Sequence, residues 1–456
     1  MRHIGLDLRV DRVALLVWGA LLAVGAGAWS FSGTPAVGAF VVLAVLLAAA
    51  SPPGALYATC AAIPLIFRPI EIGSLELGLL ELGVLVTVAG TLLRIAFEFV
   101  EHRQPPDLSW VGRKSTWILP LILLVVGTAS LSWMPFDLHR AEALRTWRWV
   151  ILEPLLIFAL ARIAIARDGL APLTLAIVLP ASVVSLAAIW QLGFASSSFS
   201  VDEVHRSTST YLHPNNLALY LERAGMLAIV PAFVLQSRSR WPFVGLSAIM
   251  LVGIASTFSR GALLGLAVGL AVVLLAHPVR HGWKILGAGA VGTVATFAFL
   301  AGTRLTGTES SGFVATRRYL WSGAVRMLRD FPLTGIGLDQ FLWLNQTRYV
   351  DARIWSERYT SHPHNLLLDS WLSLGVAGLA MLVAFVSVSV WFVWQARTGR
   401  KPLSPLQLGA LGCLGAGLGH GLVDNGYFLA DLSVMTWLAI ALLVGNHAEN
   451  APVAHD

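Results

Sequence analysis

Charge is what this chain lacks most. Asp, Glu, Lys and Arg make up 12% of its 456 residues, where a soluble domain carries about 25%. Half the ordinary charge cannot build a water-facing surface, which excludes a soluble globular protein. Cysteine is nearly absent: Cys60 and Cys413 both lie in apolar runs, which argues against a disulfide framework or a thiolate metal site. Lysine is scarce too, occurring only at 114, 284 and 401 among 31 basic positions. Arginine, a permanently charged fork that suits phosphate, supplies the rest. The net charge of +6 is spread between apolar runs, so it is no nucleic-acid signal. There is no HExxH, no DxD on an outer loop, no acidic pair at ligand spacing, and no GxSxG or Walker pattern in a useful context. Sequence motifs therefore call for no metal and no cofactor.

What is present is length of apolar run. Residues 36–50, 117–131, 170–190, 261–276 and 372–394 are almost free of charge, and each approaches or exceeds the ~20 residues that cross a bilayer core. The runs are continuous rather than alternating, so helices and not barrel strands satisfy the backbone in lipid. Spans are expected near 12–29, 36–50, 55–67, 77–97, 117–134, 149–165, 170–192, 217–235, 241–258, 261–277, 285–301, 366–394, 406–423 and 427–445. The expected fold is an all-α integral membrane protein of about 12–14 transmembrane helices in one domain over 1–456. The first run reads as a transmembrane helix rather than a cleavable leader.

Short-loop Lys and Arg set the orientation. Arg2, Arg9 and Arg12, then Arg94, Arg103, Arg113 and Lys114, Arg238 and Arg240, Arg280 and Lys284, and Arg397, Arg400 and Lys401 fall on one side if there are fourteen spans. That side is cytoplasmic, and both termini lie there. The opposite side breaks the rule. Loop 135–148 carries His139, Arg140, Arg145 and Arg148, and loop 302–365 carries eight Arg against five acids. Arginine kept on the wrong side for topology points to an anionic ligand outside the membrane, or to snorkelling at headgroups. Within the long loop, Leu320, Trp321, Ala324, Val325 and Leu328 recur at helical spacing. Segment 316–329 is therefore expected to form an amphipathic helix lying on the membrane surface.

Four polar constellations fall on that outer side: Ser361-His362-Pro363-His364-Asn365, Ser259-Arg260-Gly261, His213-Pro214-Asn215-Asn216, and His420 with Asp424-Asn425. A His at a membrane boundary near Arg suits a general base for a hydroxyl. Gly375 and Gly378 follow it and are expected to let helices approach closely. Glu222 and Arg223, and Glu153, are charged residues expected at depth, where they pair with each other or with the Arg set.

HxHN at 362–365, nine residues, then Gly375-x-x-Gly378 resembles the signature of the bacterial O-antigen ligase and polymerase family of membrane glycosyltransferases. TFSRGALLGL at 257–266, RRYLWSGAVRMLRDFPLTGIGLDQF at 317–341 and YLHPNNLALYL at 211–221 resemble it as well. The resemblance runs over roughly 205–435. It implies a fold of the glycosyltransferase C type with one large outward-facing loop, 302–365. The implied activity moves a glycan from an undecaprenyl-diphosphate donor to a hydroxyl of a lipid A core or other glycan acceptor, in the bacterial cytoplasmic (inner) membrane and without metal. By resemblance His364 is the base, with Arg260 and Arg317 holding the diphosphate; Arg318 is the alternative, because the doublet leaves the register open. His362, Asn365, His213, Asn215, Asp424, Arg145 and Arg148 are the expected substrate-binding residues. Ligase and polymerase differ only in acceptor, and a lipid-linked glycan or anion transporter is the reading from another class.

Overall fold

A computed structural model describes residues 12–30, 36–67, 69–72, 75–102, 111–134, 139–194, 199–201, 204–277, 310–400 and 402–445. Its helices begin where the chain offers caps. Ser51 accepts from the Gly54 amide ahead of Pro52 and Pro53, Ser259 accepts from Ala262, and Asn365 accepts from Leu368. Ser404 and Gln407 form a reciprocal capping box. Each satisfies amides that the first helical turn leaves without partners.

The helices are α1 (Arg12–Ser30), α2 (Ala36–Ala50), α3 (Pro52–Ala61), α4 (Leu79–His102), α5 (Ile118–Ser130), α6 (Arg140–Trp147), α7 (Glu153–Asp168) and α8 (Leu170–Phe194). They continue as α9 (Pro214–Val234), α10 (Arg240–Ser256), α11 (Arg260–Ala276), α12 (Ser310–Asp330), α13 (Phe341–Leu344), α14 (Leu366–Arg397), α15 (Pro405–Gly421) and α16 (Ala430–Val444). Two antiparallel hairpins interrupt them, β1 (Pro69–Ile72) with β2 (Leu75–Gly78), and β3 (Phe199–Val201) with β4 (Val204–Arg206).

Among the described residues, five helices are both long and apolar enough to cross a membrane: Leu79–Glu101, Arg140–Asp168, Leu170–Phe194, Pro214–Val234 and Leu366–Arg397. Shorter apolar helices stand beside them. The protein is thus an all-α integral membrane protein. The expected span at 55–67 is not one: α3 has ten residues and runs into a 3-10 turn and the β1–β2 hairpin. At 1.5 Å per residue it covers about 15 Å, half a hydrocarbon core. The expected span at 285–301 lies outside the described residues.

The core is built on α9 and α15. The apolar stretch of α9 is 89% buried, and nearly every residue of α15 is buried. Glycine makes this possible: a Cβ on Gly269 of α11 would sit 2.6 Å from the Gly412 carbonyl of α15. Small residues bring the two backbones together, as membrane helices require when lipid is as apolar as any side chain. Helix α14 is the opposite case. Only 11% of its apolar stretch is buried, so it presents its side chains to lipid.

Two expectations are corrected. The amphipathic helix at 316–329 exists within α12, but its apolar face does not lie on the membrane. Ala324, Met327 and Leu328 pack onto Ile336, Phe341, Leu344, Tyr349 and Leu372, so the long loop has its own small core. Val325, assigned to that face, is 40% exposed. The second correction concerns Gly375, which admits a loop rather than a helix. It sits at φ +66 and breaks α14. The Leu333-Thr334-Gly335 turn enters the break: Val376 donates to the Leu333 carbonyl at 3.0 Å, and Ile336 donates to the Leu372 carbonyl at 2.7 Å. A Cβ on Gly375 would collide with the Leu333 carbonyl oxygen.

Gly375→Ala is accordingly expected to cost ~1–3 kcal/mol from the left-handed backbone alone, with the collision added. A lowered thermal midpoint of the detergent-solubilised protein checks it; an unchanged midpoint would remove the account of the break.

Candidate active site

Asp424 is where the separate segments meet. It follows α15 in a turn, with its amide donating to the His420 carbonyl at 3.0 Å, and its carboxylate is 3% exposed as a residue. Oδ1 lies 2.7 Å from His364 Nδ1 and 3.4 Å from His362 Nε2, and accepts from the Asn425 amide at 2.9 Å. Oδ2 accepts from Asn215 Nδ2 at 3.2 Å and lies 3.6 Å from an Arg317 guanidinium nitrogen. Burial by itself would raise this carboxyl, but hydrogen bonds from His362 and His364 outweigh it and hold Asp424 well below the usual carboxylate range.

An ionised carboxylate accepts and does not donate. His364 therefore carries its proton on Nδ1, and its Nε2 lone pair is left available. Burial, with His362 and Arg317 adding to it, pushes His364 down to about 4 despite the opposing pull of Asp424. The ring is neutral at neutral pH and a quarter exposed. His364 also sits at φ +52, a strained conformation for a side chain of its size. The rings of His362 and His364 are 4.3 Å apart.

The expected site residues divide. Arg317, His362, His364, Asn215 and Asp424 converge on one carboxylate. Of the Arg doublet, Arg317 faces Asp424 with its side chain 12% exposed, and Arg318 points outward into solvent. His213 caps α9, its Nδ1 accepting from the Asn215 amide; burial and the nearby Arg206 lower its pKa. Asn365 caps α14 and donates to the Leu422 carbonyl at 2.9 Å, so both ends of its amide tie backbone together. Arg145 and Arg148 stand apart from the carboxylate. They pair with Asp339 at 3.8 Å and with Glu81 at 2.6 Å.

Arg260 opens α11, half-buried. A Cβ on its neighbour Gly261 would collide with the His420 ring, and His420 binds the Asp424 amide, so the start of α11 is within two contacts of the site. Glu222 and Arg223, expected to pair with each other or with the arginine set, find other direct partners. Glu222 pairs with His420 at 2.9 Å in complete burial, and Arg223 donates to the Gly426 carbonyl at 2.6 Å.

Motifs gave no metal expectation, yet the fold brings His362, His364 and Asp424 together with ligand atoms within 4.8 Å of one another. Geometry alone would admit a cation there. Arg317 already places positive charge 3.6 Å from the same carboxylate, which neutralises Asp424 and repels a metal ion. The donor set fits a hydrogen-bonded His–Asp pair better than a metal centre.

Residues 245–383 match the family model described as O-antigen ligase. The chain is 29% identical to an O-antigen ligase of Salmonella typhimurium, over 39% of this chain and 44% of that protein. It is 26% identical to an O-antigen ligase of Pseudomonas aeruginosa, over 48% of this chain and 45% of that protein. Over these segments the chain is similar to O-antigen ligases. It spans less than half the length of the curated relatives it matches.

The O-antigen ligase segment contains Arg260, Arg317, His362 and His364 but ends before Asp424, and Asn215 precedes it. Arg206 was not singled out in sequence, although it is 8% exposed and donates to Asn215 Oδ1 at 2.8 Å and to the Thr257 carbonyl at 2.7 Å. In sequence it lies outside any motif that marked the other site residues.

Asp424→Asn is expected to lower turnover by ~10²–10⁴-fold, because the amide no longer fixes the His364 tautomer. With His364 as the base, activity is lost as pH falls through its folded pKa, so the acid limb of the wild-type pH profile is expected near 4 rather than near 6.5. A limb at 6.5, or an Asp424→Asn rate within threefold of wild type, would contradict this geometry.

Proposed function

We propose that this chain transfers a glycan from an undecaprenyl-diphosphate donor to a sugar hydroxyl outside the cytoplasmic membrane, with a lipid A core sugar as acceptor. The observation that carries the reading is His364 bound through Nδ1 to a buried, ionised Asp424, with Arg317 against the same carboxylate. In this reading His364 Nε2 takes the proton of the acceptor hydroxyl as its oxygen attacks the anomeric carbon. The C–O bond to the diphosphate breaks as the new glycosidic bond forms. A single displacement inverts that carbon.

The leaving diphosphate gains charge in the transition state. Arg317 and Arg260 are proposed to stabilise it; arginines so placed contribute a few kcal/mol each. Energy arrives in the donor's own diphosphate linkage, which suits a compartment without ATP. We assign only the first part of the polyprenyl tail to the protein surface. An apolar groove of about 100 Å³ begins at Leu366, two residues from His364, and runs past Leu374, Gly378, Met381 and Phe385 of lipid-facing α14. Outward orientation, with both termini cytoplasmic, rests on the Lys and Arg distribution. A polymerase differs only in taking a second repeat unit as acceptor; the ligase description of the curated relatives favours the core sugar.

Purified protein given lipid-linked donor and lipid A core is expected to form the joined product with EDTA present. His364→Ala is expected to lose ~10²–10⁴-fold and Arg317→Ala about 10²–10³-fold. Strict dependence on an added divalent metal would remove the arginine account, and repeat elongation without core transfer would replace ligase by polymerase.

A further inference from the structure

Beside the His–Asp pair lies a cavity of about 350 Å³, within the ~300–1,000 Å³ range of small-molecule sites. His362 and Asn425 form the wall it shares with the pair. Four carboxylates line it, Glu81, Glu153, Asp339 and Asp369, against one guanidinium, Arg145. Glu81, Glu153 and Asp369 are 4–5% exposed, and burial raises the Asp339 carboxyl. Asp369 is the informative member. Its Oδ1 accepts from Ser373 only at 3.4 Å, and its Oδ2 is buried with no hydrogen-bond partner among the described residues. A buried acceptor without a donor costs free energy unless a ligand supplies one.

The charge selects the ligand. Arg145 and Arg148 are engaged with Asp339 and Glu81, and a phosphate would still face Glu153 and Asp369, so the cavity is unsuited to the diphosphate. A metal ion fits no better. Among the described residues the one cluster at metal-ligand spacing is His362, His364 and Asp424, and none of the four acids belongs to it. What remains is a neutral ligand rich in hydroxyl donors, each giving a charge-assisted hydrogen bond to a carboxylate.

We propose that this cavity is a sugar subsite: Asp369 and Asp339 accept hydroxyls of an uncharged pyranose held next to His362. This deepens the glycosyl-transfer reading, and the sugar can belong to the donor glycan or to the acceptor. Binding without turnover separates the two ideas. The probes are phosphate-free oligosaccharides released by mild acid from the host's lipid-linked donor and from its surface acceptor. Each is titrated calorimetrically into the full-length protein in nanodiscs. One of the two is expected to bind, which names the source, and Asp369→Asn is expected to weaken it roughly tenfold or more. Asp339→Asn is the second variant should Asp369→Asn fail to fold. His364→Ala is expected to bind normally.

No binding of either oligosaccharide at millimolar concentration would overturn the subsite. So would unchanged affinity in both carboxylate variants, a requirement for Ca²⁺, or competition by inorganic phosphate. Sugar binding that survives in a protein with no transfer activity would sink the enzyme reading and leave this site standing.

Discussion

A carboxylate buried among helix ends must be hydrogen-bonded or it will not stay ionised, and Asp424 meets that demand from five directions. His364, His362, the Asn425 amide, Asn215 and Arg317 come from four separate segments. Each is fixed because the carboxylate needs it, and the carboxylate is ionised because each is there. The tautomer of His364 follows from that charge, and so does the inward set of Arg317.

The platform beneath is closely packed. Helices α9, α11 and α15 pack with glycine at their contacts, and the Glu222–His420 pair is sealed between them with no exposure of consequence. A buried pair of this kind is weak evidence for stability, because desolvating it is expensive. Its effect is positional: the start of α11, with Arg260, is set against the turn that carries Asp424. On the other side, α14 is left to lipid. The candidate site therefore sits where a hydrogen-bonded histidine meets a helix whose apolar side chains are left exposed.

The long loop adds a layer of its own. Its small core of Ala324, Met327, Phe341 and Leu372 holds α12 so that Arg317 faces inward and Arg318 outward. The Leu333–Gly335 turn locks this layer into the break in α14 at Gly375. Loop and membrane helix are thus joined by backbone hydrogen bonds as well as by the packing of Leu372 and the Trp371 indole, which donates to the Pro332 carbonyl at 2.7 Å.

Composition and apolar run length determined the membrane class by themselves, because no arrangement of this chain could cover itself with charge. Local motifs marked His364, Arg317, His213 and Asp424, since a helix start, an arginine doublet and a polar helix end are legible within a few residues. Span lengths were less legible. The 55–67 run reads as one span, but the capped Pro52 start and the hairpin after it divide the run. Only the tertiary structure decided which polar residues share an atom. Asn365 and His213 became caps, Glu222 chose His420 over Arg223, and Arg145 and Arg148 went to Glu81 and Asp339. Arg206 and Asp369 entered from outside any motif. Pairing across 60 or 200 residues depends on how helices pack, and packing is set by volume and glycine positions that carry no mark of the partner they will bring near.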